Sequence, residues 1–191
     1  MPYQIERKTK ETKIAIEIDT PGETHIATGV GFLDHMLTLF SFHSGIKLHI
    51  DVDGDTWVDD HHTTEDIGIV LGQLILQKTK AEPYFERYGT AYIPMDESLA
   101  RAVVDISGRP YLSFHATLSK EKVGTFDTEL VEEFFRALVI NARLTVHLDL
   151  LHQGNTHHEI EALFKAFARA LKEALTPSAE ARILSSKGVI E

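Results

Sequence analysis

A six-residue stretch that occurs twice constrains this chain more than any other feature. It reads His-His-Thr-Thr-Glu-Asp at His61 to Asp66 and His-His-Glu-Ile-Glu-Ala at His157 to Ala162, so both copies contain His-His-x-x-Glu. On a helix, residues i and i+4 lie over one another while i+1 is turned about 100° away. His61 and Glu65 therefore address one point and His62 another, and the same holds for His157, Glu161 and His158. The surroundings repeat as well. Leu48-His49-Ile50-Asp51 aligns with Val146-His147-Leu148-Asp149, and counting back the same distance from His49 and His147 reaches His35 and Glu133. These relations predict a single domain made of two pseudo-symmetric halves, about 1–85 and 86–191.

The order of elements within each half follows from periodicity and turn signals. In the first half, β-rich segments at Tyr3 to Thr9 and Thr12 to Asp19 lead through Pro21-Gly22 to a short strand near Thr24 to Thr28. Apolar residues at helical spacing from Phe32 to Phe40 predict a helix that stops at Ser44-Gly45. A strand over Ile46 to Val52 follows, then a polar loop, then a helix capped by Asp60 and running from His61 to about Lys78. The second half gives strands near Thr90 to Met95, Ser98 to Ile106 and Tyr111 to Leu118. After a charged loop comes a helix capped by Asp127 or Thr128, a strand over Leu144 to Leu150, and a helix from His157 to about Leu175 capped by Asn155 or Thr156. The fold class is α+β, with halves of the βββαβα type.

Composition excludes several functions. A formal net charge of -10 without any basic run argues against nucleic acid or an anionic membrane as partner. The absence of cysteine removes disulfides, thiolate metal sites and cysteine nucleophiles together. The first residues lack the apolar core of a signal peptide, and no apolar run approaches the roughly 20 residues needed to span a bilayer. A cytoplasmic protein is the expectation. Eleven histidines are the one oddity, and most cluster near the two motifs.

Neutral imidazole and carboxylate are the usual ligands of first-row transition metals, so two such motifs suggest a pair of ions. A single adjacent histidine pair is also what a solvated helix face can show, but two copies argue against that reading. Pseudo-twofold symmetry divides the ligands into Glu133, His61, Glu65 and His158 around one ion and His35, His157, Glu161 and His62 around the other. Magnesium and calcium do not favour imidazole, and the set is too large for a lone catalytic zinc; manganese, iron or cobalt remain. His49 and His147, inside apolar strands, read as core histidines or groups behind the ligands. His43 and His152 lie near element ends, facing substrate or water. Asp51-Val-Asp53-Gly54-Asp55-Thr56 is similar to a phosphatase nucleophile motif and to a calcium loop. The first lacks a following βαβ chain, and the second has His62 where a carboxylate is needed, so a solvated acidic turn is the better account.

The chain resembles the imidazoleglycerol-phosphate dehydratase family of histidine biosynthesis along essentially its whole length. The likeness is carried by Arg7-Lys-Thr-Lys-Glu11-Thr12, Gly31-Phe-Leu-Asp-His35-Met36, Asp59-Asp-His61-His62-Thr-Thr-Glu65-Asp66 and Pro94-Met-Asp96-Glu97. Further matches are Ser107-Gly-Arg109-Pro110, Asn155-Thr-His157-His158-Glu-Ile-Glu161-Ala162 and Ser185-Ser-Lys187-Gly188. The resemblance implies a ribosomal protein S5 domain 2-like fold with sheets packed on a helix layer. It also implies a hydro-lyase that converts D-erythro-imidazole-glycerol phosphate to imidazole-acetol phosphate, two Mn2+ per active site, and a homo-oligomer of 24 subunits with sites at subunit contacts. The reaction would run through a substrate imidazolate bridging the two ions, because no carbonyl adjoins the carbon that loses its proton. Glu11 would move protons, and Arg87, Arg109, Lys165, Ser186 and Lys187 would hold the substrate phosphate. A binuclear metal hydrolase is the alternative for the same ligand set, and a non-catalytic metal-binding shell protein is a second. One departure stands out: many members carry histidine where this chain has Glu133. The carboxylate either ligates directly, acts through a water, or leaves the position vacant with Glu132 or His152 compensating.

Overall fold

In a computed structural model, residues 2–180 and 182–190 are described; residues 1 and 191, the outer limits expected for the two halves, lie outside that range. The first sheet is built from β1 (Tyr3–Lys8), β2 (Thr12–Ile18), β3 (His25–Ala27) and β4 (Leu48–Gly54) in the order β1-β2-β4-β3. The second contains β5 (Tyr88–Met95), β6 (Ser98–Asp105), β7 (Tyr111–His115) and β10 (Thr145–His152) in the order β5-β6-β10-β7. In each sheet the last strand runs antiparallel to its hairpin neighbour and parallel to the short edge strand. Helices α1 (Gly31–Ser44) and α3 (Leu130–Ala142) make these parallel crossovers, and α2 (His61–Ala81) and α4 (Thr156–Ala174) end the two units. The first unit packs α1 and α2 on its sheet, the second packs α3 and α4, and the helix pairs α2–α3 and α1–α4 meet between them.

Alternation explains which sheet face is covered. Ile14, Ile16 and Ile18 on β2 and Leu48 and Ile50 on β4 point inward and are buried, while the intervening residues face solvent. His49 and His147 belong to this outward set and are exposed. They are therefore not core histidines: helices cover only one face of each sheet, so an apolar strand still presents every second side chain to water. At the centre, Phe134, Phe135, Phe164 and Phe167 from α3 and α4 are fully buried and in mutual ring contact, with Phe40 of α1 stacked on Phe167.

Close helix contacts depend on missing side chains. A Cβ on Gly72 would lie 2.4 Å from the Leu138 carbonyl oxygen and one on Gly68 2.7 Å from that of Phe134, so α2 and α3 approach backbone to backbone. Helix α1 ends where expected, at Gly45, whose φ of 76° lets its N–H donate to the Ser41 carbonyl. Two expected caps differ. Asp60 precedes α2, but the Asp59 carboxylate accepts the His61 N–H at 2.8 Å. Helix α3 starts at Leu130, because Asp127 is drawn into a two-stranded ladder of β8 (Lys122–Val123) and β9 (Phe126–Asp127) and Thr128 donates to the Lys120 carbonyl. Among the described residues, no helix is long and apolar enough to cross a membrane.

Candidate metal centre and anion cleft

The start of α4 lies beside the start of α1. One donor atom each of His35, His157 and Glu161 falls within 4.8 Å of the others, with Glu161 Oε2 3.4 Å from His157 Nε2 and 3.7 Å from His35 Nε2. Donors bound at 2.0–2.2 Å to one ion stand about 3–3.5 Å apart, so the three fit a shared first-row divalent cation. Phe32 meets the His157 ring edge-on, with centroids 5.2 Å apart, and fixes its plane. The Glu161 carboxylate is buried, and its second oxygen is held by Lys165 one turn on. Burial pushes the Glu161 pKa up, but Lys165, His35 and His157 together outweigh it, and the group sits below its ordinary value.

The equivalent point on α2 is more open. His61 Nε2 and Glu65 Oε2 are 3.6 Å apart, both about two-fifths exposed. Glu133 does not join them; it is half-buried on α3, 4.0 Å from Arg136 Nε.

The second histidine of each motif is backed by a carboxylate. His62 Nδ1 lies 3.0 Å from Asp55 Oδ2, and His158 Nδ1 lies 3.1 Å from Glu97 Oε2. Such a partner takes the Nδ1–H and leaves Nε2 as the lone pair free to ligate. Asp55 raises the His62 pKa through this hydrogen bond, against a smaller lowering by burial. Glu97 is held down to about 2 by the Asn155 N–H, its own backbone N–H and His158, in that order. Asp55 and Glu97 were not among the expected site residues, although both sit in stretches that stand out in the sequence. In place of a solvated turn, Asp55 is a half-buried support for His62. Within one chain neither His62 nor His158 reaches the ion point that symmetry assigns to it: His62 stands with Asp55 and His158 with Asp96 and Glu97.

Glu11 is placed by a tight turn between β1 and β2. Its N–H donates to Thr9 Oγ1 at 3.1 Å, and its carbonyl accepts from Asp55 N. Its carboxylate is half exposed, with Oε1 3.9 Å from His62 Nε2. Asp66, which closes the first motif, accepts from Thr12 Oγ1 at 2.5 Å and pairs with Arg7, locking this hairpin to α2.

A second cleft gathers Arg87, Ser107, Arg109, Ser185, Ser186 and Lys187. Arg87, in the left-handed region at φ 70°, donates to Asp105 at 2.7 Å and to the Leu184 carbonyl at 2.6 Å, which ties the C-terminal segment to β6. Arg109 and Lys187 have no carboxylate partner among the described residues, so the cleft carries net positive charge suited to an anion. Lys165 is not in this cleft; it is engaged with Glu161.

The duplicated α+β fold thus sets His/Glu clusters with metal-ligand geometry on paired helices, beside a cationic cleft suited to an anionic small molecule. The imidazoleglycerol-phosphate dehydratase family model matches residues 28–171. The chain is 69% identical to the imidazoleglycerol-phosphate dehydratase of Staphylococcus epidermidis (strain ATCC 12228) and 70% identical to that of Staphylococcus aureus (strain bovine RF122), with all of both chains covered in each case. It superposes on the crystal structure of the enzyme from Staphylococcus aureus subsp. aureus N315 with a TM-score of 0.87 and 67% identity, over 93% of this chain and 100% of that one. With the Pyrococcus furiosus enzyme, solved in complex with (S)-C348, the TM-score is 0.85 and the identity 39%, over 97% and 99% of the chains. The chain belongs to the imidazoleglycerol-phosphate dehydratase family.

Proposed function

We propose that this chain is the hydro-lyase of histidine biosynthesis that converts D-erythro-imidazole-glycerol phosphate to imidazole-acetol phosphate and water, acting in the cytoplasm with two Mn2+ per active site. The convergence of His35, His157 and Glu161 at the α1–α4 crossing carries the metal part of this reading. Bound there, the ions would supply Lewis acidity that makes the substrate imidazole easier to deprotonate and stabilises the negative charge it then carries. The chain's own groups do the rest. Arg87, Arg109, Ser186 and Lys187 bind the phosphate and fix the far end of the substrate. Glu11, exposed beside His62, takes the carbon-bound proton as the hydroxyl on the neighbouring carbon leaves, and delivers it to that carbon when the enol becomes a ketone; the proton released from the enol oxygen turns the departed hydroxide into water. The Asp55–His62 and Glu97–His158 pairs hold ligand nitrogens in one tautomer.

Completion of the ligand sets calls for neighbouring copies. His62 and His158 are turned away from the ion points of their own chain, and Lys165 from the anion cleft, so a neighbour is the source of these groups in a 24-subunit assembly. Phe42, Trp57 and Val58, near the two motifs' helices, are 80, 86 and 53% exposed and suit such contacts. Glu133, which stands apart from His61 and Glu65 in the single chain, is proposed as the carboxylate that completes their point in the metal-loaded assembly. The test is an assay of manganese-loaded protein for imidazole-acetol phosphate and for free phosphate. Ketone formation without phosphate release supports the dehydratase; phosphate release alone would instead support a binuclear hydrolase, which the family assignment does not favour.

A further inference from the structure

The outer face of the first sheet carries a further constellation, which shares no residue with either motif. His25 and His49 are direct register partners on the parallel strands β3 and β4, and Asp51 follows two residues after His49 on the same face. Their rings are 4.8 Å apart, Asp51 Oδ2 lies 2.9 Å from His49 Nε2, and Asp51 Oδ1 lies 3.3 Å from His25 Nε2. One donor atom from each falls within 4.8 Å of the others, and all three side chains are about half exposed. Glu17 on β2 stands opposite His49.

The duplication supplies an internal control. Asp149 holds the place of Asp51 in the second sheet, and Arg101, its register partner on β6, donates to it from Nε at 3.0 Å and Nη2 at 2.9 Å. The register partner of Asp51 on β2 is Ala15, which offers no charge, and among the described residues the ion pairs of Asp51 are with His25 and His49 alone. One sheet thus pairs this carboxylate with a guanidinium and with a single imidazole, that of His115 on β7, whose Nδ1 lies 3.3 Å from Asp149 Oδ1. The other leaves it between two imidazoles whose lone pairs can turn to a cation.

We propose that His25, His49 and Asp51 form a peripheral site for one divalent transition-metal ion of the zinc class, separate from the catalytic ions. Two imidazoles and one carboxylate are a borderline donor set that favours zinc, nickel or copper over magnesium or calcium. Exposure leaves the remaining coordination positions to water or to Glu17, so the site binds more weakly than an enclosed four-ligand site.

The test is Zn2+ uptake by manganese-loaded, assembled protein, with zinc and manganese counted separately per chain by equilibrium dialysis and elemental analysis. Parent protein should bind one more ion per chain than His49→Gln, His25→Gln or Ala15→Arg, the last of which installs the cation that the second sheet uses. Each variant should weaken that step at least about tenfold. Turnover of the manganese-loaded enzyme should be unchanged, since none of these residues touches the substrate cleft or the motif histidines. Equal zinc uptake by parent and all three variants would overturn the site. So would loss of turnover together with the ion, which would assign that ion to the catalytic centre.

Discussion

The backbone contact between α2 and α3 sets the distance between the helix that carries His61, His62 and Glu65 and the one that carries Glu133, and Gly72→Ala perturbs it directly. The new Cβ would stand 2.4 Å from the Leu138 carbonyl oxygen, 2.9 Å from the Asn141 Cβ and 3.0 Å from the Ala142 nitrogen. Ordinary contact begins near 3.5 Å, so the helices must separate locally by about 1 Å. Two of the three opposing atoms are backbone and cannot rotate away, which puts the overpacking cost at the upper end of its usual range, about 3 kcal/mol. Replacing a helical glycine by alanine returns about 1 kcal/mol of propensity. The net loss is about 2 kcal/mol, which for a chain of this size lowers the melting temperature by about 4–8 °C. Gly72 lies eleven residues along α2 from His61, so the part of this displacement that reaches the site is read separately as turnover, where a full 1 Å would cost up to about 100-fold. Thermal unfolding of metal-stripped protein by circular dichroism, at matched chain concentration, reads the first effect. Gly31→Ala is the control, because its Cβ would meet nothing within 4 Å and its backbone is helical. A Gly72→Ala protein that melts at or above the parent would refute this account of the helix crossing.

Other substitutions separate the roles within the site. Glu11→Gln should cut turnover by about two to four orders of magnitude with unchanged metal content and nearly unchanged KM, as expected of a group that moves a proton; parental turnover would remove it from the chemistry. Asp55→Asn and Glu97→Gln should each lower metal affinity about 10–100-fold in a metal titration while the melting temperature of the metal-free protein barely moves. Glu133→Ala should lose one of the two manganese ions and Glu133→His should keep both; if Glu133→Ala retains both ions and full activity, the carboxylate is not a ligand.

Most of the secondary structure was legible because period and punctuation agree, as in the alternation of Ile14, Ile16 and Ile18 and the Gly45 stop after α1. The repeated His-x-x-x-Glu spacing located the cluster around Glu161, since i and i+4 positions on one helix must face together. What failed depended on the third dimension. His49 and His147 were misplaced because an apolar strand does not reveal which of its faces the helices cover. The start of α3 was missed because Asp127 and Thr128 found partners in a local ladder and loop rather than in the helix. Asp55 and Glu97 carry no periodic signal; they matter through long-range contact with the second histidines. The share of the site proposed to come from neighbouring copies lies beyond any single-chain pattern, because it depends on surfaces; within its own chain Lys165 is paired with Glu161.

Counting manganese against assembly state decides whether paired motifs from neighbouring chains hold two ions. His25→Gln protein, which lacks the proposed peripheral site, would be stripped with chelator and titrated with Mn2+, with ions per chain by elemental analysis and mass by light scattering. Chelation should abolish ketone formation and weaken the assembly, and titration should restore both together as binding saturates at two ions per chain, because ligation shared between copies links the two equilibria. Full activity with one ion or none per chain, or two ions bound by an isolated monomer, would contradict shared two-ion ligation.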